Sequence, residues 1–183
     1  MRRPIALMVA ILLTPIAIAE PLAFVNVNVV PMSSETVLKQ QTVVVNDGLI
    51  TVVGPVDDVP IPRDARVVDG TDRFLMPGLA EMHAHVPGAG SDNIDRNFSL
   101  YVANGVTLIR GMLGQASHLE LREQLEQGSV FGPHLVTSGP SLNGRTVTGA
   151  ANGEQLVRDQ FNSGYDFIKI HPGLTAKEFE AIG

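Results

Sequence analysis

Two histidines separated by one residue, His83 and His85, end the segment Leu79-Ala80-Glu81-Met82-His83-Ala84-His85. In an extended strand, residues two apart face the same way. Both imidazoles therefore fall on one side, and Met82 and Ala84 are expected to pack on the other. Two neutral imidazoles on one face can hold one metal ion. Chance pairs of this spacing are frequent, so the weight comes from position. The pair closes a predicted strand and runs into the glycine-rich loop Pro87-Gly88-Ala89-Gly90, and catalytic groups of (β/α) barrels sit at such strand ends. Glu81 faces the same side one layer below, placed either to accept from an imidazole N–H or to serve as a buried structural carboxylate. His118, within the capping-box pattern Ser117-His118-Leu119-Glu120, and His134, at the start of a strand, read as structural.

The elements that must position the pair follow a rhythm of strand, loop and helix repeated at about thirty residues, which is the pattern of βα units and a parallel sheet. Strands are predicted at 78–86, 106–110, 135–138 and 167–170. Helices are predicted at 92–104, 119–127 and 154–162, closed by Gly105, Gly128 and Gly164. A fourth helix starts after the capping box Thr175-Ala176-Lys177-Glu178. Upstream, from Pro21 to Met76, β-branched runs at 23–30, 41–45, 49–53 and 65–69 read as strands, with Asn46-Asp47-Gly48 as a hairpin turn. These runs predict a small antiparallel β module, and the two regions join near Pro77-Gly78.

Composition narrows the function classes. The chain has 183 residues, 44% hydrophobic and 17% charged, which suits an ordinary globular protein and excludes disorder for most of its length. A net charge of -6 leaves no electrostatic footprint for nucleic acid. With no cysteine, a disulfide framework, a thiolate zinc finger, a cysteine nucleophile and a lipobox are all excluded. Arg2-Arg3, the apolar run from Ile5 to Ile16 and Ala17-Ile18-Ala19 form a secretory signal pattern. The run is short of the roughly 20 residues that span a bilayer and is broken by Pro15. The expected mature protein starts at Glu20, is acidic, is exported to the periplasm or beyond, and has no membrane attachment after cleavage.

The segment Phe74-Leu75-Met76-Pro77-Gly78-Leu79-Ala80-Glu81-Met82-His83-Ala84-His85 resembles the first barrel strand of the amidohydrolase superfamily, whose pattern is an apolar residue, Pro-Gly-Leu, an acidic residue and His-x-His. Residues 103–110, 132–139 and 164–170 resemble its second, third and fourth strands in the same order. The upstream module resembles the small composite β-sandwich that flanks that barrel. The closest likeness is to the imidazolonepropionase-like, prolidase-like branch. The resemblance implies an α/β fold, with a signal peptide at 1–19, a β-sandwich module at 20–76, and the first four βα units of a (β/α)8 barrel at 77–183. It also implies an N-terminal part of a longer hydrolase whose remaining ligands, two histidines and an aspartate, lie on later strands.

Carried over residue by residue, the resemblance makes His83 and His85 ligands of the more buried of two divalent ions, with zinc the expected metal. Lys169 becomes the catalytic carbamylated lysine that bridges both. A lysine ending the apolar strand Phe167-Ile168-Lys169-Ile170 is partly desolvated, which favours the neutral amine that captures carbon dioxide. Its structural alternative is a lysine snorkelling to the strand end. His171, two residues on, is a candidate substrate contact. Arg110 matches the second strand, but Gly111 stands where an acidic residue commonly follows. The implied activity is hydrolysis of a C–N bond in a small amide or dipeptide. The alternative is an inactive exported β-rich binding module with a vestigial metal site.

Overall fold

A computed structural model describes residues 20–88 and 90–183, so the signal pattern at 1–19 lies outside the described residues. The chain divides into two compact units, the first ending at Pro77 and the second running from Gly78 to Gly183.

In the first unit, β1 (Leu22–Val29), β2 (Leu38–Asn46), β3 (Leu49–Pro55), β4 (Arg66–Asp69) and β5 (Phe74–Leu75) form one sheet of order β3-β2-β1-β4, with β5 also on β1. The β2–β3 hairpin follows its turn residues. Asp47 and Gly48 have φ of 49° and 76°, the paired positive values that match a tight turn to the strand twist. The module is not purely antiparallel, because β4 and β5 both run parallel to β1. Turn residues dictate pairing only across a tight turn. The 56–65 segment, with Pro60 and Pro62, instead carries the chain back to the far edge of β1. Gly70 lies where β4 gives way to β5, and a Cβ there would meet Val27 Cβ at 2.5 Å, so this approach admits only glycine. Ala23, Val27, Val43 and Val44 are buried. One apolar face, with Phe24, Val43, Ile50, Val53 and Leu75, lines a cavity of about 520 Å³.

The second unit alternates strands and helices: β6 (Leu79–Ala84), α1 (Ile94–Ala103), β7 (Val106–Gly111), α2 (Ser117–Glu126), β8 (His134–Thr137), α3 (Ala150–Ser163) and α4 (Ala176–Ile182). The strands form a parallel sheet of order β6-β7-β8. Phe98, Ile109, Leu121 and Leu135 are buried between sheet and helices together with Ala84 and Ile94. A second cluster joins Leu142, Val147 and Ile182.

Three predicted features come out differently. The fourth strand at 167–170 is reduced to two isolated parallel bridges, Ser138↔Phe167 and Leu142↔Ile170. The ladder cannot continue because β8 ends at Thr137, Pro140 has no N–H to donate, and the Asp166 carboxylate takes the Thr137 N–H at 2.8 Å. The capping box at Ser117 does not form. Ala116 is the N-cap residue and is already helical, and a tight turn gives His118 N–H to Gln115 O and Leu119 N–H to Ala116 O, satisfying the donors from the backbone. Helix α3 begins four residues earlier than its prediction, at Ala150, where Ala-Ala favours helix and the Asn152 side chain accepts from Thr148 N–H. By contrast, the Thr175 box forms in both directions: Thr175 Oγ1 accepts from Glu178 N–H, and the Glu178 carboxylate accepts from Thr175 N–H at 2.7 Å. Glycines 105, 128 and 164 follow their helices with positive φ, as their positions predict.

Candidate metal centre

Strand β6 brings the two histidines together. The His83 and His85 ring centroids are 5.4 Å apart and tilted by 41°. A tetrahedral ion about 2.1 Å from one nitrogen of each ring sets the centroids roughly 5 Å apart, so the pair has the separation a shared ion requires. Both side chains are exposed, and the intervening Ala84 is buried. Met82 departs from its prediction: it is 53% exposed. No strand covers that edge of β6 among the described residues, so alternation alone buries only the small Ala84.

Glu81 also behaves differently. Its Oε1 accepts from the His83 main-chain N–H at 2.8 Å, two residues along its own strand. The β6–β7 register breaks between Glu81 and Ala84, leaving Met82 and His83 without paired residues. The nearby carboxylate satisfies the N–H that the ladder does not. Glu81 therefore steadies the backbone of His83 rather than either imidazole.

Lys169 is half-buried, and its carbonyl accepts from Leu142 N–H at 2.8 Å. The described ion pairs are Arg122–Asp166 and Arg158–Glu154, and Lys169 belongs to neither. His171 donates its N–H to Leu142 O at 2.8 Å and lines a cleft of about 650 Å³ with Leu113, Asn143 and Arg145. No group of three His, Asp or Glu side chains among the described residues could hold a metal ion. The described residues thus pair two imidazoles, with Lys169 and His171 on a separate segment past the end of β8. Arg110 stacks over the Phe167 ring at 4.5 Å, and Gly111 is buried against Leu135 and Thr137.

Two residues without a functional reading at the start prove central to this region. His118 is fully buried, and its Nε2 lies 3.2 Å from Pro87 O. Burial pushes its pKa below the usual histidine value, opposed by the Pro87 and Val86 carbonyls. Asp166 joins Arg122 at 2.9 Å and Thr137 N–H through one carboxylate oxygen. The only local signal for it is an acidic residue just before a predicted strand.

No family model matches the chain. An enamidase from Eubacterium barkeri is 38% identical over 142 residues, which are 78% of this chain and 32% of that protein. An imidazolonepropionase from Idiomarina loihiensis is 36% identical over 69 residues, covering 36% of this chain and 17% of that one. Among solved structures, a Bifidobacterium longum protein described as a prolidase superposes with a TM-score of 0.77 at 27% identity, covering 90% of this chain and 46% of that one. The chain therefore spans at most about a third of these curated relatives and about half of the solved structure. The parallel βα units carrying His83-x-His85, and the likeness to these hydrolases in sequence and fold, make the chain a member of the amidohydrolase superfamily.

Proposed function

We propose that this chain carries the first metal-binding strand of a hydrolase that cleaves C–N bonds in small amides or dipeptides, in an enzyme of the imidazolonepropionase-like, prolidase-like branch. The observation that carries this reading is the His83–His85 ring pair, 5.4 Å apart at the end of the first strand of a parallel sheet. When bound, divalent ions supply a water acidic enough to attack at neutral pH and a Lewis acid for the scissile carbonyl. The residues of this chain hold and orient. His83 and His85 offer imidazole nitrogens, and Glu81 restrains the His83 backbone. Lys169, as the carbamate, would turn a cation into an anionic ligand shared by two ions. His171 would face substrate from the cleft it lines. Zinc suits the imidazole donors.

The test is metal content and amide hydrolysis of the intact protein. His83→Ala and His85→Ala should each lose metal and activity together, and a double variant that keeps two bound ions would overturn the assignment. Lys169→Arg should be inactive because guanidinium forms no carbamate. Lys169→Ala should regain activity when short-chain carboxylates are added, because the acid can occupy the gap. Full activity of Lys169→Arg would overturn the bridging role.

A further inference from the structure

Helix α2 packs behind the sheet, and nothing in its helical pattern assigns it to the site. Two of its side chains nevertheless reach the two segments that carry the proposed ligands. His118 and Arg122 are one turn apart, so they lie on the same helix face. Resting on the metal reading above, we propose that α2 is a brace, with His118 and Arg122 as positioning residues that hold the His83–His85 strand and the Lys169 segment in a common frame.

Burial of His118 is not explained by packing. Its hydrogen-bond partner, the Pro87 carbonyl, can only accept, so Nε2 carries the proton and Nδ1 is a bare acceptor. That Nδ1 is buried with no partner among the described residues. An apolar side chain of similar size would avoid this desolvation cost. What the imidazole adds is a donor aimed at Pro87, two residues past His85, where the chain has left the β6 ladder.

Arg122 acts on the other segment. Its Nη1 donates to Gly164 O at 3.0 Å and to Asp166 Oδ2 at 2.9 Å. The same Oδ2 accepts from Thr137 N–H, while Asp166 N–H donates to Thr137 O at 3.0 Å. Asp166 thus clamps both main-chain groups of Thr137 and sets the register of the residues leading to Lys169. No ladder joins β6 to residues 167–170, because β7 and β8 lie between them. Contacts from α2 tie the two together, with Leu121 buried between its two polar anchors.

The experiment uses the intact protein, with Co(II) binding read by chelator competition and absorption spectrum, and amide hydrogen exchange measured without metal. His118→Phe keeps the bulk and removes the donor; it should weaken Co(II) binding by about 10- to 100-fold, as loss of an outer partner does, and speed exchange at 84–88. His118→Gln restores an N–H donor and should recover most of the affinity. Arg122→Met should weaken binding to a similar degree but speed exchange at 164–170. Binding within about threefold of wild type in both His118→Phe and Arg122→Met would overturn the brace, because outer partners that matter cost more. Exchange that accelerates evenly across the sheet would overturn it too, as the mark of general packing. If His118→Phe does not fold, His118→Leu, which also lacks the donor, and Arg122→Met carry the same tests. Wild-type protein that takes up no Co(II) sinks the metal reading instead, and the two exchange patterns then decide the brace alone.

Discussion

Asp166→Ala tests the clamp that replaces the fourth-strand ladder. Thr137 is fully buried, so removing the carboxylate leaves its N–H without an acceptor, at about 1–3 kcal/mol. The ion pair with Arg122 adds less. The Asp166 side chain is 34% exposed and that of Arg122 19%, and a pair so open to solvent contributes up to about 1 kcal/mol. The expected total is about 1–4 kcal/mol. Asp166→Asn separates the two contributions, because the amide oxygen still accepts from Thr137 while the charge is lost; it should cost about 1 kcal/mol or less. Urea unfolding followed by tyrosine fluorescence suits the question, since both tyrosines, Tyr101 and Tyr165, lie in the second unit. The midpoint should shift with an unchanged slope. An Asp166→Ala variant within about 0.5 kcal/mol of wild type would refute the clamp. Equal losses in Asn and Ala variants would show that charge, rather than the Thr137 N–H, carries the effect.

Three further predictions follow from other parts of the chain. Because burial lowers the His118 pKa below its ordinary 6.5, the unfolded chain binds the extra proton first. Stability should therefore be full above pH 6.5 and fall as pH drops from there toward the folded value; thermal melts of His118→Gln should lack that slope, and a retained slope would exclude His118 as its source. Glu178 has its pKa lowered by hydrogen bonds from Thr175, so its contribution is present above about pH 4.5 and is lost as pH falls through the lowered value. Thr175→Ala should weaken that acid dependence without abolishing it, because the main-chain N–H at 175 still donates to the carboxylate, and should cost about 1 kcal/mol of helix stability, measured by denaturant titration at neutral pH. The Arg2-Arg3 and Ala17-Ile18-Ala19 pattern should direct export, with Glu20 as the new N-terminus by mass spectrometry, and exported protein that begins at Met1 would overturn it.

Features that depend on a few neighbouring residues were legible from the sequence. The Asp47-Gly48 hairpin, the helix stops at glycines 105, 128 and 164, and the Thr175 capping box each rest on backbone angles or hydrogen bonds reaching at most four residues. The His83–His85 pairing belongs to the same class, since the strand's period of two puts both rings on one side whatever surrounds them. Tertiary structure decided where the unpaired backbone groups went. It set β4 and β5 parallel to β1, turned Glu81 back to the His83 N–H at a register break, replaced the fourth strand with the Asp166 clamp, and buried His118 against Pro87. Each joins groups by the rule that a main-chain N–H or C=O left out of a ladder finds another partner. That partner is chosen by which segments the fold brings within about 3 Å, and no local pattern carries that information.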